Sequence, residues 1–120
     1  MPAYEELEAS LRKLHDSERL YASAVVSKDG FIILSNIPKK IHEETFAVMS
    51  ATMIGAAETT MSELKKGPFR KIYVHSENGK IIATEAGPKA ILVAVIDSDA
   101  DIGKIEEKMD VLAREIEESL

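Results

Sequence analysis

Residues 90–96 read Ala90-Ile-Leu-Val-Ala-Val-Ile96. The run is too short for a buried helix, rich in β-branched residues, and contains no polar side chain, so it fits a strand. A strand apolar on both faces needs cover on both. It therefore belongs in the middle of a sheet, with helices above and below it.

The neighbouring segments supply that sheet. Gly87-Pro88 turns the chain into the central strand from Lys80–Ala86. Asn78-Gly79 signals a two-residue hairpin turn joining it to Phe69–Ser76, which carries Arg70 and Lys71 and reads as an edge. Upstream, Tyr21–Ser27 and Phe31–Ser35 form a second hairpin closed at Asp29-Gly30, a two-residue turn whose positions both call for positive φ. Helices frame the strands. Tyr4, Leu7, Leu11 and Leu14 recur at helical spacing between Pro2 and Ser17. A long middle helix runs from about His42 to Lys66, bounded by Pro38 and Gly67-Pro68. The last helix carries Ile102, Ile105, Met109, Leu112 and Ile116 as an apolar stripe, with Ser98 and Asp101 as a weak capping box. The order is α-β-β-α-β-β-β-α. The expectation is a single α+β domain over residues 1–120, with an antiparallel five-stranded sheet and helices on both faces.

Composition sets limits on function. The 120 residues are 45% hydrophobic and 30% charged, which suits a folded domain of one core. The longest uncharged stretch, Thr45 to Ala57, is too short to span a bilayer. No signal peptide is visible, and no cysteine is present, so disulfides and thiolate chemistry are absent and the cytoplasm is the expected compartment. Residues 97–120 hold nine acids and three bases, which account for the whole net charge of −6. Such a balance argues against nucleic acid or an anionic membrane as partner. The acidic end reads as a solvated helix face.

The middle helix is the unusual element. At 100° per residue, Phe46, Met49, Met53, Ala57 and Leu64 fall on one face, expected to pack on the sheet. Ala47, Val48, Ala51, Thr52, Gly55 and Thr59 fall opposite, where a surface helix normally carries charge. Two readings are open: the helix is buried by its own chain, or by a second copy. At ~1.5 Å per residue it would span roughly 37 Å, overhanging strands about 23 Å long, which favours the second copy. Small residues at Ala47, Ala51, Gly55 and Thr59 would let two such helices approach closely. The edge residues Arg70, Ile72 and Val74 would join the same interface. The charged ends, with His42, Glu43, Glu44, Glu58 and Glu63, form a candidate rim for a further protein.

Catalytic machinery is not apparent. His15, His42 and His75 lie in three different elements and read as surface residues. His42-Glu43-Glu44 lacks the second histidine of a zinc-protease motif. Asp97, Asp99 and Asp101 begin like a calcium loop, but Ile102 and Lys108 occupy its glycine and glutamate positions. No phosphate-binding loop or nucleophile elbow is present, so no cofactor, metal site or catalytic residue is expected.

The chain resembles the Roadblock family, the group of dynein light-chain roadblock and bacterial gliding regulators. The resemblance lies in the hairpin Val25-Val-Ser-Lys-Asp-Gly-Phe-Ile32, the alanine-rich helix Phe46–Met61, the strand pair Lys71–Ala83, and Ile91–Val95 running into Ala100-Asp-Ile-Gly103. Members typically have Asn-Leu-Gly where this chain has Asp101-Ile102-Gly103. The resemblance implies a profilin-like sheet of order 2-1-5-4-3. It also implies a homodimer through the middle helices and third strands, and a non-enzymatic role as regulator or scaffold of a small Ras-like GTPase. A small-molecule sensor and a purely structural subunit are the alternatives. The large apolar residues expected under the middle helix would fill the space a sensor's ligand needs there.

Overall fold

A computed structural model describes residues 2–97 and 99–120, with only the backbone of Pro2. The elements are α1 (Pro2–Ser17), β1 (Ala22–Ser27), β2 (Ile32–Asn36), α2 (Glu43–Glu63), β3 (Lys71–Ser76), β4 (Gly79–Glu85), β5 (Ala90–Ile96) and α3 (Ile102–Ser119). They form an antiparallel five-stranded sheet in the order β2-β1-β5-β4-β3. The apolar run 90–96 is indeed its centre. Val25 pairs with Leu92 on one side, and Ala83 with Val93 on the other.

Alternation along the strands divides the core. Val25, Leu34, Ile82, Leu92 and Ile96 face α1 and α3, which contribute Leu7, Leu11 and Leu14, and Ile105, Met109 and Ile116. Ala24, Val26, Ala83, Ile91 and Val93 face the other way, toward Ala47 and Ile54 of α2. Helices thus cover both faces of β5, as its composition requires. Asp101 caps α3 by accepting a hydrogen bond from Lys104 N–H. The other half of the expected capping pair, Ser98, lies outside the described residues.

Both hairpin turns differ from the sequence reading. Between β1 and β2 the loop is three residues, Lys28–Gly30. Ser27 N–H donates to Phe31 C=O and Gly30 N–H to Ser27 C=O. Only Gly30 has positive φ, the arrangement of a type I turn followed by a left-handed glycine. Between β3 and β4 the turn residues are Glu77 and Asn78, because Gly79 already pairs with Ser76.

Helix α2 is shorter than its sequence pattern, 21 residues or roughly 32 Å. It stops before Gly67 because Lys65 takes the left-handed position, φ 56°. Lys65 N–H then donates to Ser62 C=O and Lys66 N–H to Met61 C=O, which closes a Schellman motif. Its orientation is also corrected. Ala47, Ser50 and Ile54 are the buried residues, whereas Met49 and Leu64, expected on the sheet, are exposed. Small side chains let the helix sit close over Ala24 and Ala83, and they take precedence over the larger ones.

Candidate functional site

The rotation of α2 decides what it offers to a partner. Val48 and Met49 are 53% and 59% exposed, and Thr52, Gly55, Ala56, Thr59 and Thr60 are exposed beside them. Thr52 donates its hydroxyl to Val48 C=O at 2.8 Å, and Thr60 donates to Ala56 C=O at 2.7 Å. Both side chains therefore have their hydroxyls turned onto their own helix, which lowers their polarity toward an approaching surface. A Cβ added at Gly55 meets nothing within 4 Å. The result is a contiguous face over about three turns of helix with no charged side chain, bounded by exposed His42, Glu43 and Glu44 at one end and exposed Glu63 at the other. Contiguous apolar surface of this kind marks interaction sites.

Of the residues expected on this face, Val48, Thr52, Gly55 and Thr59 are exposed, and Ala51 is half-buried. Ala47 is not on it: it is fully buried against the sheet, because the inward face is rotated toward it. Met49 and Ala56 take their place in the exposed set. Glu58 also departs from the expected rim. It is drawn back to Lys28 at 3.2 Å, and the same ammonium reaches Glu85 of β4 at 2.8 Å. Burial opposes the Lys28 charge, but the hydrogen bonds to Glu85 and Glu58 outweigh it and raise the Lys28 pKa above the ordinary lysine value. Among the remaining rim residues, Glu43 accepts a hydrogen bond from the Ser35 hydroxyl at 2.8 Å.

The second component is the edge strand β3, bonded in the sheet to β4 alone. Ile72 and Val74 are half-buried, opposite Ala83 and Ile81, on the α2 side. Lys71 and Tyr73 project to the other face. Lys71 lies 2.8 Å from Asp110 and 3.5 Å from Glu106, and the Tyr73 hydroxyl donates to Glu106. That bond is the main reason the Tyr73 phenol sits above its usual pKa. For Lys71, burial lowers the pKa, while Asp110 and Glu106 together raise it further. Arg70 precedes the strand and is exposed, with its carbonyl accepting from Glu85 N–H.

Histidine placement is partly corrected. His42 and His75 are exposed, but His15 is half-buried, its Nδ1 2.8 Å from the fully buried Ser23 hydroxyl. Burial lowers its pKa, with Asp16 acting weakly in the opposite direction. Among the described residues, no group of three His, Asp or Glu side chains is placed to hold a metal ion. No helix among them is long and apolar enough to cross a membrane.

Phe31, 70% exposed immediately before β2, carries no site signal in the sequence, where its apolar character places it in a strand. Nor does Thr84, a buried strand residue on the α3 side.

Comparison with known proteins agrees with this architecture. The Roadblock/LC7 domain model matches residues 6–96. The uncharacterized protein MJ1340 of Methanocaldococcus jannaschii is 33% identical over 106 residues, covering 88% of this chain and 92% of that protein. The gliding protein MglB of Thermus thermophilus superposes with a TM-score of 0.88 at 21% identity, over 98% of this chain and 90% of that one. Profilin IA of Acanthamoeba castellanii superposes with a TM-score of 0.67 at 14% identity, over 92% and 96%, and so shares the profilin-like fold. With a family match spanning most of its length and a relative of this closeness, the chain belongs to the Roadblock/LC7 domain family.

Proposed function

We propose that the chain is a non-catalytic homodimeric regulator or scaffold that binds a small Ras-like GTPase. The observation that carries the reading is the uncharged exposed face of α2. Val48, Met49, Thr52, Gly55, Ala56 and Thr59 form a surface suited to a second copy of the same helix. Ala51, Ile72 and Val74 border it as half-buried residues, and Arg70 flanks the edge strand. Pairing of β3 with its copy would satisfy the outward backbone groups of Ile72–Val74. The exposed polar residues His42, Glu43, Glu44 and Glu63 then form the rim available to a GTPase, while Glu58, already engaged by Lys28, contributes less. Membership of the Roadblock/LC7 domain family supports a regulatory or scaffold role; the compartment proposed for it is the cytoplasm.

The test is capture of the organism's own small GTPases, loaded with GTP or GDP, by the purified chain. Charge reversal at Glu43, Glu44 and Glu63 should weaken capture and leave the dimer intact, since rim charges act chiefly on association. Capture of no GTPase in either nucleotide state would overturn the GTPase-regulator reading and favour a structural scaffold.

A further inference from the structure

Cover on the α2 side of the sheet stops short of one corner. Ala83 and Val93 are fully buried on that side, but Ile81 and Val95, two positions along the same strands, are only half-buried. Val74 stands opposite Ile81, and Ile81 opposite Val95, so the three share a face. With Tyr21 they line an open cleft of about 320 Å³ at the Ser76 end of β3. Exposed Asn78 and Asp97 complete its walls, and exposed Glu77 lies in the adjoining turn. Neither acid has an ion pair among the described residues, whereas Lys80, which also lines the cleft, is engaged within the protomer.

An apolar group without cover lies at the end of α2. Met61 packs with Phe69 and Ile72 beneath the helix, at the Lys71 end of β3. Leu64, one turn further, is 59% exposed. Lys65 and Lys66 follow it, both exposed and without an ion pair among the described residues. Within one protomer the leucine and the cleft are held apart by the length of β3, roughly 17 Å.

A second copy removes that separation. Two β3 strands paired antiparallel about a two-fold axis set Lys71 of the copy beside Ser76. An axis perpendicular to the sheet also keeps both α2 helices on the same face. Residues 64–70 of the copy lead directly into its β3, so the pairing delivers them to the open corner. We infer that in the β3-paired dimer, on which this reading rests, Leu64 of each protomer fills the cleft of Tyr21, Val74, Ile81 and Val95 in the other, while Lys65 and Lys66 meet Asp97 and Glu77 at its rim. Symmetry makes two such contacts per dimer. Leu64 then does face a sheet, as its side chain suggests, but the sheet belongs to the copy. Charge and shape agree: an aliphatic side chain followed by two bases meets an aliphatic cleft edged by two acids.

The chain contains no cysteine, so engineered thiols test the contact directly. The double variant Leu64→Cys with Asn78→Cys, treated with a short bismaleimide, should give a covalent dimer on a denaturing gel, and neither single variant should. Leu64→Ser, at an exposed position, should keep the circular dichroism of the native chain and weaken dimerisation about tenfold in analytical ultracentrifugation. A native chain that is dimeric by light scattering, while the double variant gives no covalent dimer, would overturn this contact and leave the dimer standing. Unchanged dimerisation of Leu64→Ser would overturn it as well. A covalent dimer from Leu64→Cys alone would set the two leucines against each other and equally overturn it. A monomeric native chain would overturn both the contact and the dimer.

Discussion

Lys28 Nζ lies 2.8 Å from Glu85 Oε2 and so ties the β1–β2 loop to β4. The second bond of the same ammonium, to Glu58, anchors α2 to that point. All three side chains are partly solvated, so the pairing is worth less than its geometry suggests. The Lys28 pKa is raised, as is that of Lys71, and the Tyr73 phenol is raised by its bond to Glu106. A raised folded-state pKa stabilises the fold below the unfolded value, and the gain is lost as pH rises through the folded one. All three groups act in one direction. The melting temperature should therefore fall above about pH 10. Lys28→Met should lower stability at neutral pH by about 1 kcal/mol and flatten the alkaline fall. An unchanged alkaline profile in Lys28→Met would show that the pair contributes nothing.

His15 gives the opposite sign. Its pKa is lowered by burial, so the neutral ring is favoured in the folded state. The associated stability is complete above the unfolded value of about 6.5 and declines as pH falls below it. Proton titration by NMR should place His15 below that value, and His15→Gln should lessen the loss of stability in mild acid. A His15 midpoint at or above the ordinary value would contradict the burial argument.

Lys65 holds a left-handed backbone conformation at the end of α2, which favours glycine. Lys65→Gly should raise stability by about 1 kcal/mol, read by chemical denaturation. A loss of stability would mean that the lysine side chain itself contributes to the cap.

The free edge of β3 predicts a pattern of hydrogen exchange. If β3 pairs with its copy, amides of Ile72–Val74 are protected on both sides of the strand in the dimer. Fast exchange of the outward amides in the intact dimer would contradict strand pairing while leaving the helix contact open.

The parts of the fold legible in the sequence are those set by local pattern. Ala90–Ile96 has no polar residue, and its central position follows from that alone. The stripes of α1 and α3 each have one large apolar face, so their inward sides are unambiguous. Helix α2 misleads because it carries apolar residues all round. Size places Met49 and Leu64 inside, whereas close approach to Ala24 and Ala83 selects Ala47, Ser50 and Ile54. The uncharged outer face was legible all the same, since Val48, Thr52, Gly55 and Thr59 belong to either reading. The recruitment of Glu58 by Lys28, thirty residues away, depends on tertiary contact and leaves no signal in spacing. The same holds for Thr84, whose burial without a partner exists only once α3 lies over β4.

Gly55 bears most directly on the dimer. It is exposed, and an added side chain meets nothing in its own protomer, so Gly55→Glu should be tolerated by the isolated fold. At a crossing of two helices the same change would bury an unpaired charge, a cost of several kcal/mol. Light scattering after size-exclusion chromatography, at micromolar protein, compares the two. The account predicts twice the protomer mass of 13.2 kDa for the native chain, and the protomer mass for a folded Gly55→Glu. A native chain that runs as a monomer, or a Gly55→Glu variant that remains a dimer, would contradict it.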